Sequence, residues 1–181
     1  MIYYTSDIHF GHRNVIWMCK RPYSSVEEMN EALIRNWNMR VKGNDKVYIM
    51  GDMFFHADIK LVKEILSRLK GRKILIIGNH DGSWLSKLDH PEQYFELVTD
   101  YFNGSVGNHG VTLCHFSLPC FIHQKKQYMI HGHFHNKTES DIWPLLKVRP
   151  HVLNAGVDIN GYQPVTFEEL IENNRIWKET H

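Results

Sequence analysis

Short runs of β-branched and aromatic residues recur along the chain, each stopping at Gly, Asp, Asn or His. They are Ile2-Tyr3-Tyr4-Thr5, Val47-Tyr48-Ile49-Met50, Ile74-Leu75-Ile76-Ile77, Val111-Thr112-Leu113-Cys114, Tyr128-Met129-Ile130 and Val152-Leu153. Such runs are strand signals, and near-continuous apolar character rather than alternation predicts strands covered on both faces. Helical spacing fills the intervals. Val26, Met29, Leu33, Trp37 and Val41 fall three and four residues apart, with Ser25 and Glu28 as a capping box for a helix from Val26 to about Val41. A second helix is predicted from Ile59 to about Lys70, with Val62, Ile65, Leu66 and Leu69 on one face and Gly71 placed to end it. Thr166 and Glu169 form a capping box for a terminal helix carrying Phe167, Leu170 and Ile171. The segment from Asn103 to Gly110 reads as a turn-rich loop.

The resulting order is strand, helices, strand, helix, strand, then mostly strands, then a helix, which is an α/β pattern. No repeat, low-complexity tract or Pro/Gly-rich linker divides it, so a single domain over residues 1–181 is expected, within the usual domain size. Hydrophobic residues make up 43% and charged residues 23%, enough apolar material for a real core. The formal net charge of +1 argues against a protein that grips nucleic acid mainly through backbone phosphates. Cys19, Cys114 and Cys120 show neither metal-ligand nor redox spacing, as expected for reduced thiols that pack. No apolar run approaches the roughly 18–20 residues of a membrane helix, and the chain opens directly in a strand without a signal-peptide pattern. A cytoplasmic location and no membrane partner are expected.

Composition becomes informative at histidine, of which there are 13, more than the 12 glycines, and they are bunched. Asp7-Ile8-His9 follows the first strand, Gly51-Asp52 the second and Gly78-Asn79-His80-Asp81 the third. His115 ends the fourth, and His131-Gly132-His133-Phe134-His135 follows the fifth. Ligands bind outside the carboxyl ends of strands in α/β sheets, so these groups are expected to converge. The i, i+2 spacing of Asp7 with His9, and of His133 with His135, lets both side chains lean to one side of an extended backbone. Carboxylate, imidazole and amide oxygen without thiolate suit borderline divalent ions such as manganese, iron or zinc, and so many histidines do not suit a calcium site. Burying so many such groups without an ion would be costly. Gly11, Gly51, Gly78 and Gly132 adjoin the ligands and allow tight turns beside them.

On Asp7-Ile8-His9-Phe10-Gly11, Gly51-Asp52, Gly78-Asn79-His80-Asp81, His115 and Gly132-His133-Phe134-His135, the sequence resembles the calcineurin-like metallophosphoesterases. The match covers most of the chain in order. Cys114 stands before His115 where many members have glycine, and Phe10-Gly11-His12, Lys20-Arg21-Pro22 and the Ser25-to-Trp37 helix look like a small bacterial or phage-type branch. The resemblance implies a four-layer αββα sandwich with two mixed β-sheets. It implies two divalent metal ions, manganese, iron, zinc or nickel. Asp7, His9 and His135 would hold one, Asn79, His115 and His133 the other, and Asp52 would bridge them. His80 would be the catalytic histidine that is not a ligand.

The activity so implied is hydrolysis of phosphodiesters or phosphomonoesters by metal-activated water, on small-molecule or nucleotide substrates. Asp81 either orients His80 or caps a loop. His12 and Arg21 are possible substrate contacts, Arg21 with a surface alternative, while Asn154 and Asp158 read as turn formers. His123, Lys125 and Lys126 read as an exposed loop. A nuclease of the same kind would need a basic groove or a stacking platform, for which Trp17, Tyr23, Trp84 and Trp143 are candidates beside a core role. A non-catalytic scaffold would have no need of the ligand set.

Overall fold

The computed structural model describes residues 1–121 and 126–181, so His123 and Lys125 lie outside the described residues. Among the described residues eight strands form two four-stranded sheets. The first has the order β1 (Ile2–Thr5), β2 (Lys46–Ile49), β3 (Arg72–Ile76), β4 (Phe95–Thr99) and is parallel throughout. The second has the order β5 (Tyr101–Val106), β6 (His109–Cys114), β7 (Tyr128–His131), β8 (Val152–Asn154), with β5 antiparallel to β6 and the rest parallel.

Side-chain alternation along the strands shows why there are four layers. Val47 and Ile49 of β2 and Leu75 of β3 turn outward to a core shared with Met29, Leu33 and Trp37 of α2 (Val26–Arg40) and Val62, Ile65 and Leu66 of α3 (Ile59–Arg68). Tyr48, Met50, Ile74 and Ile76 turn the other way and meet Val111, Leu113, Ile130 and Leu153 of the second sheet. Met129 and Val152 point out of that sheet to Trp143 of α5 (Trp143–Lys147) and Trp177 of α6 (Phe167–Thr180). The inner strands therefore have apolar residues on both faces because each sheet is covered on both, as expected for an αββα sandwich.

The helix ends follow their caps. Thr166 and Glu169 make the full reciprocal box at the start of α6. At α2, Ser25 accepts from the Glu28 backbone at 3.1 Å, but the Glu28 carboxylate reaches the Ser24 backbone instead, at 2.7 Å. Helix α3 stops at Arg68, and Gly71 takes φ +87° where an added Cβ would meet Val41 at 2.6 Å.

One reading is corrected. The segment expected as a loop from Asn103 to Gly110 is a β-hairpin, β5 and β6 turning through Gly107 and Asn108, and β4 was not foreseen. Asn103, Gly104 and Ser105 have little strand propensity, and β5 is held by its ladder to β6. Short helices α1 (Arg13–Met18) and α4 (Gly82–Leu85) also punctuate the metal-competent loops. Among the described residues no helix is long and apolar enough to cross a membrane.

Candidate metal centre

The chain leaves β1 at Thr5 and does not stay extended. Asp7 and His9 sit at φ +54° and +55°, Asp52 at +54°, His133 at +73° and His135 at +51°. These are five of the nine non-glycine residues with positive φ among those described, a conformation in which Asp and His are enriched and which clusters at functional sites. The i, i+2 pairs therefore converge through left-handed turns and not, as the spacing suggested, along extended backbone. Backbone pairing holds the turns: Asp7 N donates to Gly51 O at 3.0 Å, His9 N to Asp52 O at 3.0 Å and Phe10 N to Met53 O at 2.8 Å. The loops after β1 and β2 thus continue side by side past the end of the sheet.

Close approach of these loops requires glycine at Gly132, where an added Cβ would lie 2.6 Å from Asp7 Oδ2 and 2.8 Å from Met50 O. Into this frame the side chains converge in two overlapping groups. Ligand atoms of Asp7, His9 and His135 lie within 4.8 Å of one another, as do those of Asp7, Asp52 and His115. Asn79 Oδ1 is 2.9 Å from His115 Nε2 and 3.1 Å from His133 Nδ1. Asp52 stands between the groups, with Oδ2 3.6 Å from His9 Nε2 and 3.5 Å from His115 Nε2.

The residues fit divalent cations on several observations. His9 Nε2 is buried with no hydrogen-bond partner although it faces a carboxylate, an orphan that an ion would satisfy. His115 Nδ1 donates to Met50 O at 2.8 Å, and a carbonyl only accepts, so the lone pair falls on Nε2 toward Asp52 and Asn79. His135 Nδ1 pairs with Asp158 Oδ2 at 2.8 Å, leaving Nε2 toward Asp7 Oδ1 at 3.9 Å. Such outer partners are the usual means of aiming a ligating imidazole.

The electrostatics point the same way. Burial holds the His9 ring well below its ordinary pKa, which keeps a lone pair available. Burial also raises Asp7. At His135 burial pulls the pKa down, but hydrogen bonds to Asp158 and Cys19 and the charges of Asp7 and Asp158 outweigh it and hold the ring up at about 10. The field there favours positive charge. A third grouping of Cys19, His135 and Asp158 shares His135, but its carboxylate is already paired with Arg21 at 2.7 Å.

His80 lies at the rim, with its side chain 37% exposed, Nε2 3.9 Å from Asp52 Oδ2 and its backbone N–H donating to Asp52 Oδ1 at 2.9 Å. It faces a cleft of about 550 Å³ also lined by His12, Met18, Phe55, Phe134 and Lys137. His12 is stacked on Phe55 with centroids 3.7 Å apart, and burial, with the charges of His80 and Arg21, lowers it to about 4. A larger depression of about 750 Å³ lies by Met1, Lys46 and Arg72 at the strand beginnings and holds none of these residues. The chemistry, and not the size, marks the site.

Several readings are resolved. Asp81 does not touch His80; its carboxylate accepts from Asp52 N and Gly78 N at 2.8 Å, and from Met53 N and Trp84 Nε1 at 3.0 Å. Arg21 is buried, so the surface alternative does not hold. Its enclosed guanidinium is used up on Asp158, on Ile8 O at 2.8 Å and on Asp7 O at 2.7 Å. Asp158 and Asn154 are more than turn formers, since Asn154 Nδ2 also holds His135 O at 2.7 Å. Trp84 and Trp143 are buried and Trp17 is exposed.

The calcineurin-like phosphoesterase family model matches residues 1–180. An uncharacterised protein of Methanocaldococcus jannaschii is 34% identical over 179 residues, covering 97% of this chain and 93% of its own. A gene 66 protein of a Mycobacterium phage is 25% identical over 182 residues, with 87% of each chain covered. A solved structure of a protein of unknown function from Aquifex aeolicus superposes with a TM-score of 0.71 at 26% identity, covering 95% of this chain and 98% of that one.

Proposed function

The chain belongs to the calcineurin-like phosphoesterase family, and from that premise we propose that it is a binuclear metal-dependent hydrolase of phosphodiesters or phosphomonoesters, acting on small-molecule or nucleotide substrates as one domain over residues 1–181. The observation that carries this reading is the Asp52 carboxylate lying between His9 Nε2 and His115 Nε2, at 3.6 and 3.5 Å, with the first of these nitrogens otherwise unpartnered. In this reading Asp7, His9 and His135 would hold one ion, Asn79, His115 and His133 the other, and Asp52 would serve both.

Manganese, iron, zinc or nickel bound there would supply Lewis acidity, polarising phosphoryl oxygens and lowering the pKa of a water molecule. The remaining work falls to the chain. Both oxygens of the Asp7 carboxylate accept the His133 backbone N–H, at 2.9 and 3.0 Å, which ties the loop after β7 to the loop after β1. Asp52 fixes the His80 backbone, which sets the imidazole at the cleft mouth, and His80 Nε2 donates a proton to the leaving oxygen, a contribution of about 10²–10⁴-fold in comparable cases. Phe55 and Phe134 wall the cleft and limit water around the reacting group.

A strand-cutting nuclease would call for a basic groove. Lys137 is the one lysine or arginine among the described residues lining the cleft, which favours small substrates over nucleic acid. The test is to strip the protein and reload it with manganese, iron, nickel or zinc. Each form is then assayed on phosphomonoesters, phosphodiesters and cyclic nucleotides. Turnover restored by metal on one of these classes is the expected result, and no turnover with any metal on any of them would refute it.

A further inference from the structure

One buried ion pair touches two of the candidate ligands, Asp7 and His135, without being a ligand itself. Arg21 Nε donates to Asp158 Oδ1 at 2.7 Å, and both side chains are 0% exposed. The other oxygen, Asp158 Oδ2, takes the His135 Nδ1 hydrogen bond at 2.8 Å. Of the other two guanidinium nitrogens, Nη2 donates to Asp158 Oδ2 at 3.2 Å and to Asp7 O at 2.7 Å, and Nη1 donates to Ile8 O at 2.8 Å. A single planar fork therefore grips the left-handed turn carrying Asp7 and His9 and, through one carboxylate, sets the ring of a histidine more than a hundred residues away.

The second group of candidate ligands makes no direct bond to this pair, and meets the turn it grips only where the His133 backbone N–H donates to the Asp7 carboxylate. His115 is aimed by a backbone carbonyl, Met50 O, and Asn79 and His133 contact one another and His115. Isolated charges this deeply buried are costly, and removing one partner of a buried pair usually costs more than the pair contributes. Here the placement of the pair gives that cost a use.

We infer that Arg21 and Asp158 are positioning residues that build the Asp7–His9–His135 metal subsite selectively, leaving the Asn79–His115–His133 subsite to assemble without them. The inference rests on the binuclear reading above and deepens it. Asp158→Asn removes the negative charge at nearly constant shape, and Arg21→Lys keeps a cation that can no longer serve the carboxylate and both carbonyls together.

Manganese binding is measured by equilibrium dialysis on the stripped full-length wild type and on both variants, with near-ultraviolet circular dichroism to verify packing. The wild type is expected to bind two ions. Each variant should bind one at wild-type affinity and the second about 10- to 100-fold more weakly, the usual scale for losing an outer-shell partner. Two ions at unchanged affinity in both variants, or an equal loss at both subsites, would overturn the selective role. A wild type that binds fewer than two ions would instead bring down the binuclear reading, and this inference with it. Should Asp158→Asn lose its packing, Arg21→Lys alone decides between these outcomes.

Discussion

The Asp81 carboxylate accepts the backbone N–H of Asp52 at 2.8 Å, so the residue that follows His80 in sequence secures the neighbouring loop and leaves His80 alone. Together with its bonds from Gly78 N, Met53 N and Trp84 Nε1 it is the knot between the loops after β2 and β3.

Asp81→Ala should therefore act on stability first. It strands four buried donors, and a buried group left unsatisfied costs about 1–3 kcal/mol each before relaxation and water entry. A net loss of about 3 kcal/mol, or about 6–12 °C in Tm for a chain of this size, is expected in a thermal melt. A melt within one degree of wild type would show that the knot is not structural.

His80→Ala should behave in the opposite way. The side chain is partly exposed and contributes no buried hydrogen bond, so folding and bound metal should be unchanged while turnover falls about 10²–10⁴-fold. Metal analysis alongside steady-state kinetics checks both halves, and a variant with full turnover would remove His80 from the chemistry.

Gly132→Ala places a methyl group against Ser6 Oγ, Asp7 Oδ2 and Met50 O, two of these being parts of the frame that cannot move aside. Both Tm and manganese affinity are expected to fall. Wild-type affinity in this variant would show that the loops after β1 and β7 tolerate separation.

Stability should also respond to alkaline pH through two buried lysines away from the site. Burial lowers Lys73 and Lys178 to about 8, with Arg149 adding to the effect at Lys178, while each ammonium donates to backbone carbonyls. Between about pH 8 and the ordinary lysine value near 10.4, the unfolded chain holds protons that the folded chain has released, so this contribution to stability rises with pH. Urea unfolding of wild type and Lys73→Met/Lys178→Met at pH 7, 8, 9 and 10 isolates it. The difference in unfolding free energy should shift in favour of wild type above pH 8, and a constant difference would contradict the assignment.

What could be read from the sequence divides by locality. Val47, Ile49 and Leu75 announce their strands because each run is short, apolar and closed by a turn residue, and α6 announces itself through Thr166 and Glu169. The positions of Asp7, Asp52, Asn79 and His115 were legible for the same reason, since each follows such a run. Strand β5 was not, because Asn103-Gly104-Ser105 carries no local signal and is extended only by its partner. The turns at Asp7 and His9 were misjudged, since spacing says nothing of φ when a neighbouring loop imposes it. Arg21 and Asp158 illustrate the remaining gap: an arginine before proline looks like surface until a residue 137 positions away closes over it.

The central claim is that two metal ions held by these loops make the chain a phosphoesterase. Its most direct test is to titrate the stripped protein with manganese while following hydrolysis of an aryl phosphodiester and, in parallel, an aryl phosphomonoester. Turnover absent at zero metal and rising to a plateau near two equivalents on one of these esters is the expected result. Turnover that is independent of added metal, or that saturates at one equivalent, would contradict the binuclear account.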